Sequence, residues 1–431
     1  MRLFERIWLV FILWLASLVA ALTTVQPIFF TLAYLFGGIL AFSYLWALLN
    51  VSWVRVTRQT PSNRGQVGKF AEERFVLENT GPLPKLWIEL KDHSELPNHR
   101  VSRVISGLGA RRGHSWIVHT YGFRRGRFRL GPVTIASSDP FGLFYLQREL
   151  DLTSYLVIYP PAIELPYFNP PVGELVGGEA SHRRTHYVTT NVSGVRDYAP
   201  GDSFNRIHWR STARTGRLIV KEFELDPMAD VWIVLDMDRR AHAGLSFDEL
   251  PELDYRGLPW EERPEFKLEA STEEYGVAVA ASLARHFLLQ DRAVGLISYP
   301  RFGHREIAQS DRGQRQQARI MEMLAVTHAG GRIPLAEVIA AEGARFSRNT
   351  TAIIITPSLD PSWVAATRHL LSRGVRATAV MIDPAGFGGP DGADEMIVEL
   401  RTNHVPTYVV HEGDPLDAAL ANPARSGRWV G

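Results

Sequence analysis

The sequence predicts a two-helix transmembrane hairpin, then a β-sandwich domain, then a doubly wound α/β domain. Three patterns carry that prediction. Two long uncharged apolar runs stand near the start. Short alternating runs separated by turn residues fill about 51–160. Continuous apolar strands then alternate with amphipathic helices from about 228 to the end at 431.

The apolar runs cover about 7–25 and 28–49. A spanning helix needs about 20 apolar residues, so each run is long enough. Thr23, Thr24, Gln26 and Pro27 break them apart and imply a short turn. Arg2 and Arg6 precede the first run, and Arg55, Arg58, Arg64 and Lys69 follow the second, whereas the turn has no Lys or Arg. The positive-inside rule then puts both the N-terminus and the soluble body in the cytoplasm, giving a multi-pass protein of the inner (plasma) membrane. The rival reading of the first run is a cleavable signal peptide, with Ser17, Ala20 and Ala21 as the small residues. The second run would then stop transfer and leave the body on the same side.

Composition bounds the function. Net charge is +1, from 47 basic and 46 acidic side chains, which argues against general nucleic-acid binding. The chain has no cysteine, which excludes disulfides, thiolate catalysis, iron–sulfur clusters and cysteine-ligated zinc.

The β-rich stretch shows strands such as Phe75–Leu77, Leu86–Leu90 and Ser115–His119 between turns such as Asn79-Thr80-Gly81-Pro82. Arg124 to Pro132 alternates arginine with other residues and reads as a charged edge strand, or as a face toward anionic lipid. Asp139-Pro140-Phe141-Gly142-Leu143-Phe144 reads as a turn whose phenylalanines anchor it on a core.

Residues 161–227 form a linker around a dense motif at 194–224. Pro200-Gly201 is a turn, and Asp202 or Ser203 is a ready N-cap for a helix ending at Gly216. On that helix Arg206, Arg210 and Arg214 share a face. Asp197, Asp202, Glu222 and Glu224 are the nearest acids, so the arginines either clamp helix to strand or dock an acidic or phosphate-bearing partner.

In the last domain, strands are expected at Val231–Leu235, Ala293–Tyr299, Thr351–Thr356, Val375–Ile382 and, at the edge, His404–Val410. Helices are expected at Ser271–Gln290, Gln314–Thr327 and Pro361–Ser372. Between Ala241 and Glu269 lies an acidic insertion in which Glu249, Glu252, Glu261 and Glu262 are candidate partner-binding residues, or a solvated loop. The chain lacks the Gly-x-x-x-x-Gly-Lys-Ser/Thr phosphate loop, the Gly-x-Ser-x-Gly elbow and the His-Glu-x-x-His zinc motif, so no catalytic residues are assigned.

The central motif resembles the signature of the domain-of-unknown-function fifty-eight family of bacterial and archaeal proteins. Gly194, Arg196, Tyr198, Pro200, Gly201, Asp202, Arg206, Ile207, Trp209, Ala213, Arg214, Leu218, Val220 and Glu222 fit its pattern. Arg206 and Ile207 are adjacent here, where the pattern separates them by one residue. The segments from Arg125 to Phe144 and the N-terminal hairpin also resemble that family. The resemblance implies a von Willebrand factor A-like fold for the last domain. It also implies a scaffold or adaptor role beside a MoxR-type AAA+ ATPase, in assembly or maturation of protein complexes. The metal site of that fold carries Asp-x-Ser-x-Ser after its first strand, and here the sequence is Asp236-Met237-Asp238-Arg239-Arg240. Asp236 and Asp238 are thus the candidate ligands for magnesium, with Arg240 opposed to it. Two further readings follow: a metal-dependent adhesion-type binding module, and an enzyme centred on 196–214.

Overall fold

The computed structural model describes residues 2–168, 192–199, 207–223, 230–245, 267–301, 303–348 and 350–423. The chain divides into two compact units, one holding Met1–Pro161 and the other most of Ala162–Gly431.

The first unit begins with α1 (Arg2–Thr24) and α2 (Pro27–Val51). Pro27 sits at the start of α2, where its missing N–H has no helical partner to lose. Trp14 of α1 lies over Gly37 of α2; a Cβ there would come within 2.8 Å of the indole nitrogen. Both helices are long and apolar enough to cross a membrane. Leu9, Ile12, Leu22, Ile28 and Leu35 are exposed, which suits a lipid-facing anchor better than a buried core hairpin.

Ten strands follow: β1 (Val54–Gln59), β2 (Arg64–Gln66), β3 (Phe70–Asn79), β4 (Lys85–Asp92), β5 (Arg103–Leu108), β6 (Gly113–Tyr121), β7 (Gly126–Leu130), β8 (Val133–Ser138), β9 (Tyr145–Leu150) and β10 (Ser154–Tyr159). Two antiparallel sheets, ordered β1-β3-β6 and β5-β4-β8-β9, make the sandwich. Alternate residues point inward, as the strand period requires. Phe75, Leu77 and Trp116 from one sheet share a core with Ile88, Leu90 and Ile135 from the other. A small third sheet, β2-β10-β7, closes on Leu130, Leu156 and Ile158. The arginine-rich segment forms β7 at the edge of that sheet. Arg127 is exposed, with its guanidinium carbon 4.4 Å from the Tyr155 ring centroid, but Arg125 is buried and does not join an exposed arginine face.

In the second unit, β11 (Val192–Asp197) pairs antiparallel with β12 (Ile219–Phe223), and α3 (Trp209–Thr215) lies between them in sequence. The core is a six-stranded sheet made of β13 (Val231–Leu235), β14 (Val294–Arg301), β15 (His304–Asp311), β16 (Thr351–Thr356), β17 (Arg376–Ile382) and β18 (Thr407–Val410). Its order is β15-β14-β13-β16-β17-β18, all parallel except β15. That is the doubly wound 3-2-1-4-5-6 order. The helices are α4 (Thr272–Leu289), α5 (Gly313–Val326), α6 (Leu335–Glu342), α7 (Ser362–Ser372), α8 (Ala393–Thr402) and the short α9 (Leu416–Ala419). β13 and β16 are buried along their whole length, as sheet centres covered on both faces are. α4 differs from the expected one-sided amphipathic helix: Tyr275 to Ala284 are all buried. Its Gly276 faces Leu235, Ile355 and Ile382 of the sheet. Residues 162–168 cover it elsewhere, with the Ile163 N–H donating to Ser282 Oγ at 2.9 Å and Phe168 packing on Phe287.

A candidate cleft at the carboxyl edge of the sheet

β13 and β16 are adjacent, and their carboxyl ends mark the point where the strand order reverses. Loops leaving such ends diverge and open a crevice. Asp236 follows β13 directly, and its N–H donates to Ile355 O at 3.0 Å. The Asp236 carboxylate is buried and engaged on both oxygens. Oδ1 accepts the Asp238 N–H at 3.0 Å, and Oδ2 accepts the Thr356 hydroxyl at 2.6 Å. Thr356 Oγ1 in turn accepts the Ser358 N–H at 2.9 Å, so the two loops are tied together through one carboxylate. Desolvation pushes the Asp236 carboxyl above the ordinary carboxylate range, against these hydrogen bonds. The His242 ring bridges Asp236 O, at 2.9 Å from Nε2, and Thr272 Oγ1, at 3.1 Å from Nδ1.

Asp238 meets Arg240. Arg240 Nε lies 3.1 and 3.2 Å from the two carboxylate oxygens, and one terminal nitrogen lies 2.6 Å from Oδ2. The hydrogen bond and charge of Asp238 raise the guanidinium pKa, with Glu337 and Asp360 adding to its negative surroundings. A cleft of about 340 Å³ opens beside this pair; Pro334, Leu335, Pro357, Asp360 and Trp363 complete much of its wall.

Asp236 and Asp238, the expected magnesium ligands, do not fit a cation as they stand. Magnesium demands near-octahedral oxygen donors. Here a guanidinium already neutralises Asp238, and Asp236 is spent on two donors in a setting that disfavours its charged form. Among the described residues no group of three or more His, Asp and Glu side chains is arranged to hold a metal ion.

The central motif is only partly described. Its helix is shorter than expected. α3 starts at Trp209 because the His208 ring caps it, accepting the Ser211 N–H at 3.3 Å while lying 2.6 Å from the Ser211 hydroxyl. The helix ends at Gly216, whose φ of 66° only glycine adopts without strain. Arg196, Trp209, Arg210 and Arg214 are exposed, and Tyr198 is half-buried. Of the three arginines expected on one helix face, Arg210 and Arg214 stand on α3. Pro200, Gly201, Asp202, Arg206 and the Glu222 side chain lie outside the described residues, as do Glu249, Glu252, Glu261 and Glu262 of the acidic insertion.

One cluster escaped sequence reasoning altogether. Inside the sandwich unit, Arg58 donates to Glu73 Oε2 at 2.7 Å and Asp92 Oδ1 at 3.2 Å, and His99 lies 3.3 Å from Asp92 Oδ2. All four side chains are at most 4% exposed. Burial opposes ionisation of Asp92, but hydrogen bonds to His99 and Ser94 and the Arg58 charge win and hold its carboxyl below the usual range. These residues are far apart in sequence and carry no motif, so no linear signal marks them.

The architecture is thus that of two long apolar N-terminal helices, a β-sandwich and a doubly wound α/β domain with a polar cleft at its sheet edge. Residues 194–248 match the family model described as "Protein of unknown function DUF58", so the chain carries the segment its motif resembles. Uncharacterized protein YeaD of Bacillus subtilis is 23% identical over 213 residues, 48% of this chain and 53% of that protein. This chain therefore spans about half the length of that relative. An uncharacterized protein of Mycobacterium tuberculosis is 27% identical over 243 residues, 54% of this chain and 69% of that one. Among solved structures, the conserved hypothetical protein BatB from Bacteroides thetaiotaomicron is similar at a TM-score of 0.30 and 14% identity, covering 45% of this chain and 95% of its own.

Proposed function

We propose that the chain is a membrane-anchored, non-enzymatic adaptor. Its hairpin sits in the plasma membrane with the soluble domains on the cytoplasmic side. Its α/β domain receives a basic segment of a protein partner at the sheet-edge cleft, and a MoxR-type AAA+ ATPase is the partner class the family resemblance suggests. The cleft carries the reading. Asp238 and Asp360 line it against Arg240, Glu337 adds to the negative surroundings of that arginine, and the apolar wall of Leu335, Pro357 and Trp363 offers desolvated contact. The polar groups at its floor hydrogen-bond one another rather than standing poised for proton transfer, which favours binding over chemistry.

The test is co-purification from mild detergent, comparing wild type with Glu337→Lys/Asp360→Lys. Both residues are exposed, and the Asp360 carboxylate accepts the Ser362 N–H at 2.9 Å, so a thermal melt of the variant accompanies the comparison. The expected result is an ATPase retained by wild type and lost by the variant. Retention of the same partner by both proteins would remove the cleft from the account. A wild type that holds none would remove the adaptor reading. A parallel variant with Lys at Glu249, Glu252, Glu261 and Glu262 asks whether the acidic insertion contributes to docking.

A further inference from the structure

We infer that the turn from Asp139 to Phe144 is a third membrane contact, with Phe141 inserted at the lipid–water boundary beside the hairpin. The inference rests on α1 and α2 spanning the bilayer.

The final turns of α2 are covered by protein. Ser43, Ala47, Asn50 and Val51 fall on one face and are buried, in contact with β4, β8 and β9 of the same unit. Two polar bonds hold this junction. Lys85 Nζ donates to Leu49 O near the helix end, and Asn50 Nδ2 donates to Ser138 O at 3.1 Å. Ser138 is the last residue before the turn, so the turn starts at the level of Asn50.

From there the chain climbs along the helix. The Phe144 ring packs 5.4 Å from the ring of Tyr44. At 1.5 Å per residue, Tyr44 stands ~9 Å further along α2 than Asn50, toward the bilayer interior. Arg6 reports the same level on the other helix: a Cβ built on Gly142 would lie 3.7 Å from an Arg6 terminal nitrogen. Arg6 begins the apolar span of α1, and a charged residue in that position marks the interface. Gly142 thus sits at the boundary, and Phe141 beside it is 55% exposed, with Tyr44 exposed as well.

The backbone of the turn is built for a poorly hydrated place. The Asp139 carboxylate accepts the N–H groups of Phe141, Leu143 and Phe144 at 2.9, 2.8 and 2.7 Å. The Gly142 N–H donates to Asp139 O at 3.2 Å, and residue 140 is proline, with no N–H to satisfy. Every amide donor from 140 to 144 is therefore bonded within the turn, which removes the main cost of bringing irregular backbone to the edge of the hydrocarbon. A surface turn in water needs no such closure. An aromatic ring on its tip matches the interfacial preference of such side chains.

The absence of native cysteine allows a clean probe. Phe141→Cys in the full chain, carrying a nitroxide label, is reconstituted into phosphatidylcholine/phosphatidylglycerol nanodiscs. Collision with oxygen is then compared with collision with a water-soluble nickel chelate. Tyr34→Cys, on an exposed position of α2, is the lipid reference, and Val398→Cys, on an exposed position of α8, is the aqueous reference. The expected result is an oxygen-to-nickel ratio at 141 clearly above that at 398 and shifted toward that at 34. A water-like ratio at 141 with a lipid-like ratio at 34 overturns the inference and leaves the spanning hairpin intact. A water-like ratio at 34 overturns the hairpin reading and this inference with it.

Discussion

Replacing Arg58 by methionine should unlock the sandwich. The long stem is kept, but the guanidinium is lost. It bonds Glu73 at 2.7 and 3.1 Å and Asp92 at 3.2 Å, and it lies 5.1 Å from the Phe75 ring centroid. Two carboxylates at 2% exposure would then share the interior with the His99 ring, 3.3 Å from Asp92, and without the guanidinium. Removing one partner of a buried ion pair costs about 3–5 kcal/mol, since the other is left charged and unpaired. At about 1.4 kcal/mol per decade, that is roughly two to three and a half powers of ten in an opening equilibrium. Amide hydrogen exchange of β3 and β6, which pair along Phe70–Glu78, reads this directly in the detergent-solubilised chain. The triple variant Arg58→Met/Glu73→Leu/Asp92→Leu should recover much of the loss, because apolar replacement of a whole buried network is often neutral or stabilising. A single variant whose protection falls by less than about ten-fold, against the decades worked above, would refute the reasoning. So would a triple variant less protected than the single one. The network also sets an acid limit. The Asp92 pKa is depressed in the fold, so its contribution is complete above the unfolded value of about 3.9 and fades as pH falls through the folded one. Protection of β3 and β6 should therefore drop below about pH 4 in wild type and drop less in the triple variant.

In the α/β domain, the Tyr299 hydroxyl donates to Glu342 Oε1 at 2.6 Å, and burial together with that carboxylate pushes the phenol up to about 12. A raised folded pKa means the contribution is full below the unfolded value of about 10 and is lost as pH rises through the folded one. Thermal melts should show wild type losing stability above about pH 10, while Tyr299→Phe starts roughly 1–3 kcal/mol lower at neutral pH and loses less in that window. Gly331→Ala should disturb the cleft from behind. Gly331 is bridged to Asp238, and an added Cβ would stand 2.6 Å from Met237 O, with the Tyr299 carbonyl closer still. The expected outcome is a lowered melting temperature together with loss of partner co-purification; an unchanged melt would mean the strand ends can shift to accept a methyl group.

The layout of the fold was legible in the sequence where burial leaves a continuous signature. β13 and β16 are apolar from end to end because helices cover both faces, and their limits were read correctly at Val231–Leu235 and Thr351–Thr356. The two N-terminal helices were equally plain, since each is an unbroken apolar run long enough to cross a bilayer. β15 was not read, for the converse reason. As an antiparallel edge strand it carries His304, Arg305, Glu306 and Asp311, polar residues that suit an edge and erase the hydrophobic pattern. α6 and α8 were also missed. α8 buries only Ala393, Met396 and Leu400 and shows acids and polar residues elsewhere, a stripe too thin to separate from a loop.

The site was legible only as single residues, because its meaning lies in pairing. Asp236-Met237-Asp238-Arg239-Arg240 can be read as a degenerate cation site or as an ion pair, and the linear order does not decide between them. Geometry does. A guanidinium two residues from Asp238 closes a fork on both its oxygens, while Thr356, 120 residues on, takes the remaining oxygen of Asp236. The same logic separates the two turn motifs. Asp139 looked like an ordinary turn former, and its chemistry appears only once three of its neighbours' amides point at one carboxylate beside the apolar helix α2. In both places an aspartate that reads as a ligand or a punctuation mark is a hub for local donors, fixing the loop that carries it. A loop held that firmly presents a preset surface, which keeps the ordering cost of binding low.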